Sequence, residues 1–460
     1  MSILIINDLA LKLVANDFSK TSPATNGGPT KTSRALAIIH LAAHDAYTKV
    51  TERAASPPIP PLVLQLGTLP SPPSSVGTDD IAGTNALLGA GIHAAEQLYP
   101  AEIAFIASET AGITVTDPLA FNYGKQVADA WITARMTDQS SLPQTDTMYV
   151  KQPGHHQPDP LADPMSDNFK TLGRKWGMVT PFVLGSVTAD APLARPPELT
   201  SLDYALAFDQ VIEVGKNDIT QRDPDFRKKA ITGIFWGYDG SNKLGTPPRL
   251  YNQVVLAIPE FQGLSHPEQI RVLTAVNVAM ADAGIAAWFW KYEYDFWRPV
   301  VAIREAEKGW GTTGIGDGNT LRKEGDPFWL PLGAPRSNPR VPTFGAAGSN
   351  FTPNFPAYPS GHATFGSAAF ETVSKLLGKR PEDISLTFVS DEFNGMTTDN
   401  TGTTRPRIEE TFTLREAIEE NKISRIYLGV HWNFDATGGE VVGNARAAQV
   451  VAAFQLPPGP

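Results

Sequence analysis

Apolar positions recur at helical spacing over most of this chain, and two-residue alternation is scarce. Residues 33–50 (SRALAIIHLAAHDAYTKV) carry a near-continuous helical pattern, and 83–99, 101–113 and 118–136 read as three more helices with short joins. Pro100 suits a first helical turn. Four such helices predict a bundle. Residues 55–75 are Pro-rich and read as a loop, and 138–197, rich in Pro, Gly and Asp, as a long irregular connection. Helical patterning resumes at 201–216, 223–235 and 246–258. The longest helix signal follows. Ser265 and Glu268 have capping-box spacing, Pro267 fits the first turn, and periodicity runs to about Trp297. After a Gly/Pro-rich span at 309–358, helices are predicted from Ser360 to Leu377, stopped by Gly378, and at 415–423 and 434–454. Residues 384–389 give the best strand signal. The predicted class is all-α, with helical units at 1–200 and 201–460.

At 460 residues the chain exceeds one ordinary core. A net charge of −10 without any basic block argues against nucleic acid as a partner. No apolar run is expected to reach the length of a membrane span, so no membrane partner is predicted. The N-terminus lacks a basic region and carries Asp8 where a signal peptide stays apolar. The expectation is a soluble protein, cytoplasmic by default, with leaderless secretion open. There are no cysteines, which excludes disulfides, thiolate catalysis, iron–sulfur clusters and zinc sites built on sulfur. Their absence suits an enzyme that meets strong oxidants, because thiols are lost to them first.

Three segments concentrate candidate chemistry. Pro359-Ser360-Gly361-His362 opens a predicted helix, where unpaired amides and the positive end of the macrodipole favour an anion. Ser360 adds a hydroxyl and His362 a group that exchanges protons near neutral pH, although a serine there also reads as a plain cap. Lys291 and Arg298 are seven apart on the predicted long helix, so both project from one face two turns apart. Two cations so placed ask for an anion between them, unless Glu293 and Asp295 neutralise them or Lys291 snorkels to water. Near the C-terminus, Arg425 offers a fork-shaped oxyanion donor. His431 and Asp435 are one turn apart if helical, a separation at which a carboxylate could fix an imidazole's tautomer.

Read in order, these segments are K-x6-R-P, P-S-G-H and S-R-x5-H-x3-D. The signature resembles the superfamily that joins the vanadium-dependent haloperoxidases with the histidine-type acid phosphatases, and every motif position is filled. The likeness extends further. Phe235 to Gln253, Phe296-Trp-Arg-Pro299, Asp326-Pro-Phe-Trp329, Leu332-Gly-Ala-Pro335, Phe355 to Gly366 and Ser33 to Tyr47 are similar to the vanadium chloroperoxidases of fungi. One departure is that this sequence stops about one helix after Asp435, whereas the fungal enzymes carry a further extension.

The resemblance implies two four-helix bundles packed side by side with long irregular loops, and one vanadate per chain in the C-terminal bundle. It implies His431 as the vanadium ligand. Lys291, Arg298, Ser360, Gly361 and Arg425 would bind the oxyanion, His362 would be the acid–base group, and Asp239 would pair with an arginine of the site, most naturally Arg425. Hydrogen peroxide, halide and a small organic molecule would be the substrates, with Lys291 making a peroxide oxygen more electrophilic and hypohalous acid the product. Phe355 and Trp288 fill positions that are Phe and Trp in the chloroperoxidases, which implies an aromatic halide pocket suited to chloride. Two other readings stay open: a phosphatase with His431 as nucleophile, Asp435 orienting it and His362 protonating the leaving group, and a non-catalytic helical scaffold.

Other polar clusters read as structural. His40 and His44 form an i, i+4 pair assigned to packing of the first bundle. His155, His156, Asp159 and Asp163 are assigned to solvated loop polarity, and Asp317-Gly-Asn319 lacks the remaining ligands of a calcium loop.

Overall fold

Helical spacing in the sequence is realised as α-helices through most of the computed structural model, which describes residues 2–20, 23–52, 69–146, 148–162, 170–183, 193–217, 224–306, 325–341 and 350–454. Its first half contains α1 (Ser2–Asp17), α2 (Gly28–Thr51), α3 (Asp80–Leu98), α4 (Ile103–Thr110) and α5 (Pro118–Arg135), then β1 (Thr145–Asp146) and β2 (Thr171–Leu172). The second half contains α6 (Leu202–Val214), α7 (Pro224–Phe235), α8 (Pro247–Leu256), α9 (Pro259–Gln262), α10 (His266–Tyr294), α11 (Pro299–Glu305) and α12 (Gly361–Leu377). It closes with β3 (Ser385–Phe388), β4 (Glu410–Thr413), α13 (Leu414–Tyr427) and α14 (Asn433–Phe454). The fold is an all-α helical bundle. The two strand pairs are short antiparallel ribbons, Thr145 opposite Leu172 and Ser385 opposite Thr413.

In the first half, α2, α3 and α5 pack on one another and α1 joins them. The pattern had suggested residues 101–113 as the fourth member. Instead α4 is short and buries only Ile106, whereas α1 buries Ile3, Ile6, Leu9, Leu13 and Val14. Tertiary burial of an apolar face decides membership here, not helix propensity alone. The buried His40 ring lies between two oxygens, the Leu36 carbonyl 2.7 Å from Nδ1 and Asn7 Oδ1 3.0 Å from Nε2.

Helix α10 is the axis of the molecule. Its capping box of Ser265 and Glu268 is present, and the helix packs on α2 as well as on α12 and α14. It corrects the expectation that no run reaches span length: by length and composition α10 could cross a membrane. However, 94% of its most apolar window is buried inside the protein, as an all-round apolar core helix should be. The helix stops at Tyr294, short of the predicted Trp297, because Asp295 adopts a left-handed conformation (φ 49°).

Two features bring distant segments to one place. On α14, a Cβ at Gly439 would lie 2.6 Å from the Ser360 carbonyl oxygen and one at Gly443 2.5 Å from that of Thr364. Only hydrogen fits at those positions, so α14 nests against the start of α12. Gly429, at φ 70°, reverses the chain after α13 and sends residues 430–432 back toward α10.

Candidate active site

Ser360, Gly361 and His362 begin α12 as the sequence suggests, but Ser360 does not act as a cap. Its hydroxyl takes no helix amide, and the oxygen is buried without any hydrogen-bond partner. Such a group costs free energy unless a ligand satisfies it. Its backbone N–H is used, donating to the Asp435 carbonyl at 2.8 Å. A Cβ at Gly361 would sit 3.3 Å from the Trp288 ring, so the glycine keeps the helix end open beside that ring.

Lys291 and Arg298 do meet, by a route other than the one predicted. They do not share a helix face: Arg298 lies beyond the end of α10, extended (φ −85°, ψ 154°) at the N-cap of α11. The turn at Asp295 folds it back. Arg298 donates Nε to the Phe355 carbonyl at 2.9 Å and Nη1 to that of Val430 at 2.8 Å; Nη1 also lies 3.0 Å from His431 Nε2. Its Nη2 is buried with no partner. Lys291 is fully buried and donates to the carbonyls of Pro356, Ala357 and Pro359, at 2.8, 3.0 and 2.5 Å. Neither Glu293 nor Asp295 neutralises it. All three ammonium hydrogens thus hold the loop that leads into Ser360. Burial, followed by the charge of Arg298, pushes the Lys291 pKa well down, while burial brings Arg298 to about 9, still cationic at neutral pH.

His431 lies in the turn before α14, not on it. Asp435, in the first turn of α14, accepts His431 Nδ1–H at 2.7 Å and the Trp432 amide at 3.0 Å. The predicted contact exists, therefore, but as a helix-start carboxylate gathering donors rather than as two positions on one helical face. Because Nδ1 donates, Nε2 carries the lone pair. Burial, then Arg298, Lys291, Arg425 and His362, hold the His431 pKa well below its usual value, which keeps that lone pair free of a proton. Burial pushes Asp435 up to about 7, opposed by the Trp432 amide and the two nearby cations.

Arg425 makes a two-pronged pair with Asp239, Nη2 to Oδ1 at 2.8 Å and Nη1 to Oδ2 at 3.1 Å, leaving Nε buried and unpartnered. His362 donates Nε2–H to the Gly237 carbonyl at 2.8 Å, so Nδ1 is the proton acceptor of the ring. Burial and the Arg425 charge depress its pKa well below the usual value and keep it neutral. Trp288 and Phe355 stand side by side, ring centres 5.0 Å apart, with Lys291 Nζ 5.5 and 5.1 Å from them and the Arg298 guanidinium 4.9 Å from Phe355.

Sequence reading missed the supports behind these groups. Tyr251 hydroxyl and Asn421 amide both donate to the His362 carbonyl, at 3.0 and 2.9 Å. Glu392 accepts the Tyr238 amide at 3.3 Å, the Ser337 hydroxyl and Arg405 at 2.5 Å, bracing the loop that carries Asp239. Two assignments to solvated polarity are also corrected. His156 and Asp159 are buried; His156 lies 3.1 Å from Asn354 Oδ1, and Asp159 accepts the amides of Leu161 and Thr352 at 2.9 and 3.1 Å. Asp163 and residues 317–319 lie outside the described residues.

The donor set fits a tetrahedral oxyanion. Arg298 Nη2, Arg425 Nε and Ser360 Oγ are buried donors without partners, next to an imidazole whose lone pair is fixed. Comparison with known proteins places the chain in a family. Residues 271–457 match the family model of the VCPO second helical-bundle domain. The vanadium chloroperoxidase of Curvularia inaequalis is 31% identical over 518 residues, covering 94% of this chain and 79% of the relative. The chain belongs to the vanadium haloperoxidases. In fold it is similar to a bacterial vanadium-dependent iodoperoxidase (TM-score 0.66, 20% identity, 98% of this chain and 95% of that one). A holo-type bacterial vanadium-dependent chloroperoxidase is similar too (TM-score 0.64, 16% identity, 96% and 95%). Vanadium haloperoxidases of differing halide name thus share this fold, and the fold alone does not choose the halide.

Proposed function

We propose that this chain oxidises halide with hydrogen peroxide to hypohalous acid, using one vanadate held at His431. The observation that carries the reading is the set of buried, unpartnered donors on Arg298, Arg425 and Ser360 beside His431 Nε2. Unpartnered buried atoms such as Trp176 Nε1 and Ser367 Oγ occur elsewhere in the protein; what sets these three apart is that they are hydrogen-bond donors of residues gathered around one imidazole, as an oxyanion site requires. His431 Nε2 would be the metal ligand, with Arg298, Arg425, Ser360 and the Gly361 amide holding oxyanion oxygens. Bound vanadate would supply a Lewis-acid centre that activates peroxide toward attack by halide.

The protein's own groups divide the remaining work. His362, neutral and accepting at Nδ1, takes a proton from the incoming peroxide and returns it to the departing oxygen. Lys291 contributes its charge through a low-dielectric wall and holds the loop before Ser360; to bond an oxyanion oxygen directly it would release one of its three carbonyls. Asp239 holds Arg425 by its two terminal nitrogens so that Nε faces the site.

Chloride is the proposed preferred halide. The Trp288–Phe355 pair sets aromatic surface beside Lys291 and Arg298, a low-dielectric wall that favours the halide hardest to oxidise. The test of the function is halogenation of an activated phenol by protein loaded with vanadate, in the presence of peroxide and halide. Hydrolysis of a phenolic phosphate in vanadate-free buffer, with no vanadate-dependent halogenation, would replace this reading by the phosphatase.

A further inference from the structure

A cavity of about 1000 Å³ opens onto the candidate active site, and its lining includes Trp288, Phe355, Gly361, His362, Arg425 and His431. That space far exceeds what peroxide and halide require; it matches a small organic molecule. The chain as a whole is acidic, yet this cavity is cationic. Lys31, Lys170, Arg336, Arg340 and Arg425 line it, against the carboxylates of Asp17 and Asp239. Both carboxylates are engaged, Asp17 by the amides of Thr25 and Asn26 and Asp239 by Arg425.

Arg336 is the distinctive wall residue. Its guanidinium lies over the Phe351 ring, 5.5 Å from the centre, and its Nε is buried without a partner. Asp159 is the carboxylate it feels, and both oxygens of Asp159 already accept backbone amides. Two more polar side chains of the lining share this condition. Gln144 has both amide atoms buried and unpaired, and Asn354 Nδ2 likewise. Both are more than nine-tenths buried. They adjoin the aromatic pair: the Leu172 amide donates to the Asn354 carbonyl at 2.9 Å, and the Leu172 carbonyl accepts Trp288 Nε1–H at 3.3 Å. Planar aromatic surface, a forked cation and unpaired amides together describe a receptor for an aromatic carboxylate.

We propose that this cavity binds a small anionic aromatic acceptor, its carboxylate held by Arg336, and presents the ring for halogenation inside the protein. The proposal rests on the haloperoxidase reading for the halogenating step alone. In that step the ring carbon forms a bond to halogen as the halogen–oxygen bond of hypohalous acid breaks, and the displaced ring proton leaves with hydroxide as water.

Calorimetric titration of the vanadate-loaded protein, in phosphate-free buffer without peroxide or halide, with 4-hydroxybenzoate and with its neutral amide tests the anion site without any turnover, because the oxyanion donors beside His431 are then occupied. The wild type is expected to bind the carboxylate at least about tenfold more tightly, and Arg336→Gln to bring the two within about twofold. Equal binding by the wild type, or a preference that survives in folded Arg336→Gln, overturns the proposal. Should Arg336→Gln fail to fold, Arg336→Lys keeps the charge and loses the fork. It is expected to show a smaller preference, and an undiminished one overturns the assignment. Triiodide formation without organic acceptor reports on halide oxidation separately. Its absence in the wild type sinks the haloperoxidase reading while the titration still decides the anion site. Equal kcat/KM for the two ring compounds, with halide oxidation intact, overturns halogenation within the cavity.

Discussion

His431 donates its Nδ1 hydrogen to Asp435 Oδ2 at 2.7 Å, and that one bond decides what the other ring nitrogen can do. With Nδ1 protonated, Nε2 holds a lone pair, and Arg298 Nη1 lies 3.0 Å from it. The carboxylate is in turn fixed by the Trp432 amide. Removing it frees the ring to rotate and to change tautomer. Asp435→Ala is therefore expected to weaken vanadate affinity by about 10- to 100-fold while leaving a measurable site. Equilibrium dialysis against vanadate checks this; affinity equal to wild type would show that Asp435 does not orient the ligand.

His362→Ala should keep vanadate yet lose about 10²- to 10⁴-fold in halogenation rate, because its place is on proton transfer. Its ring bonds to the Gly237 carbonyl and to none of the oxyanion donors. Paired dialysis and steady-state assays separate the two effects. A parallel fall in both would assign His362 to anchoring instead.

Steady-state chlorination of an activated phenol at mildly acidic pH tests the aromatic wall. Chloride turnover is expected, with bromide also reacting readily. Strong bromide turnover without chloride turnover would show that Trp288 and Phe355, though in contact, do not set the preference.

A pH effect follows from His40, far from the candidate site. Burial lowers its folded pKa to about 4, whereas the unfolded chain protonates near 6.5. The folded form therefore binds fewer protons than the unfolded form between those values. Stability is full above about pH 6.5 and declines as pH falls toward 4, by an amount on the order of 3 kcal/mol. Urea unfolding of wild type and His40→Gln between pH 7.5 and 4.5 should show a shallower acid loss in the variant. Identical slopes would remove His40 from the acid response.

The sequence made most helices legible because apolar periodicity and caps are local. The Ser265–Glu268 box, the stop at Gly378 and the β3 strand all stand where the pattern put them. Membership in the bundle was less legible. Helix α1 belongs to it and α4 scarcely does, a choice made by which face finds a partner. The site divides in the same way. Ser360, Arg298, Arg425 and His431 were singled out from chemistry and resemblance, and the structure brings them together. The helical arithmetic behind Lys291 and Arg298 failed, because a left-handed Asp295 cannot be read from periodicity. Tyr251 and Asn421 carried no local signal, since the His362 carbonyl they meet lies 111 and 59 residues away in sequence, and Glu392 reaches the Tyr238 amide across 154.

Glycine spacing on α14 is a legible clue of a subtler kind. Gly439 and Gly443 are one turn apart, and small residues at that interval allow close helix approach. They place the His431–Asp435 pair beside Ser360, so the site depends on them although neither is itself an oxyanion donor.

The central claim, one oxyanion held at His431, is tested most directly by titrating vanadate into the metal-free protein and into His431→Ala, followed by exhaustive dialysis. The account predicts one vanadate retained per wild-type chain and none per His431→Ala chain, because the bond from imidazole nitrogen to vanadium is lost. Equal retention by the two proteins, or no retention by either, would contradict it.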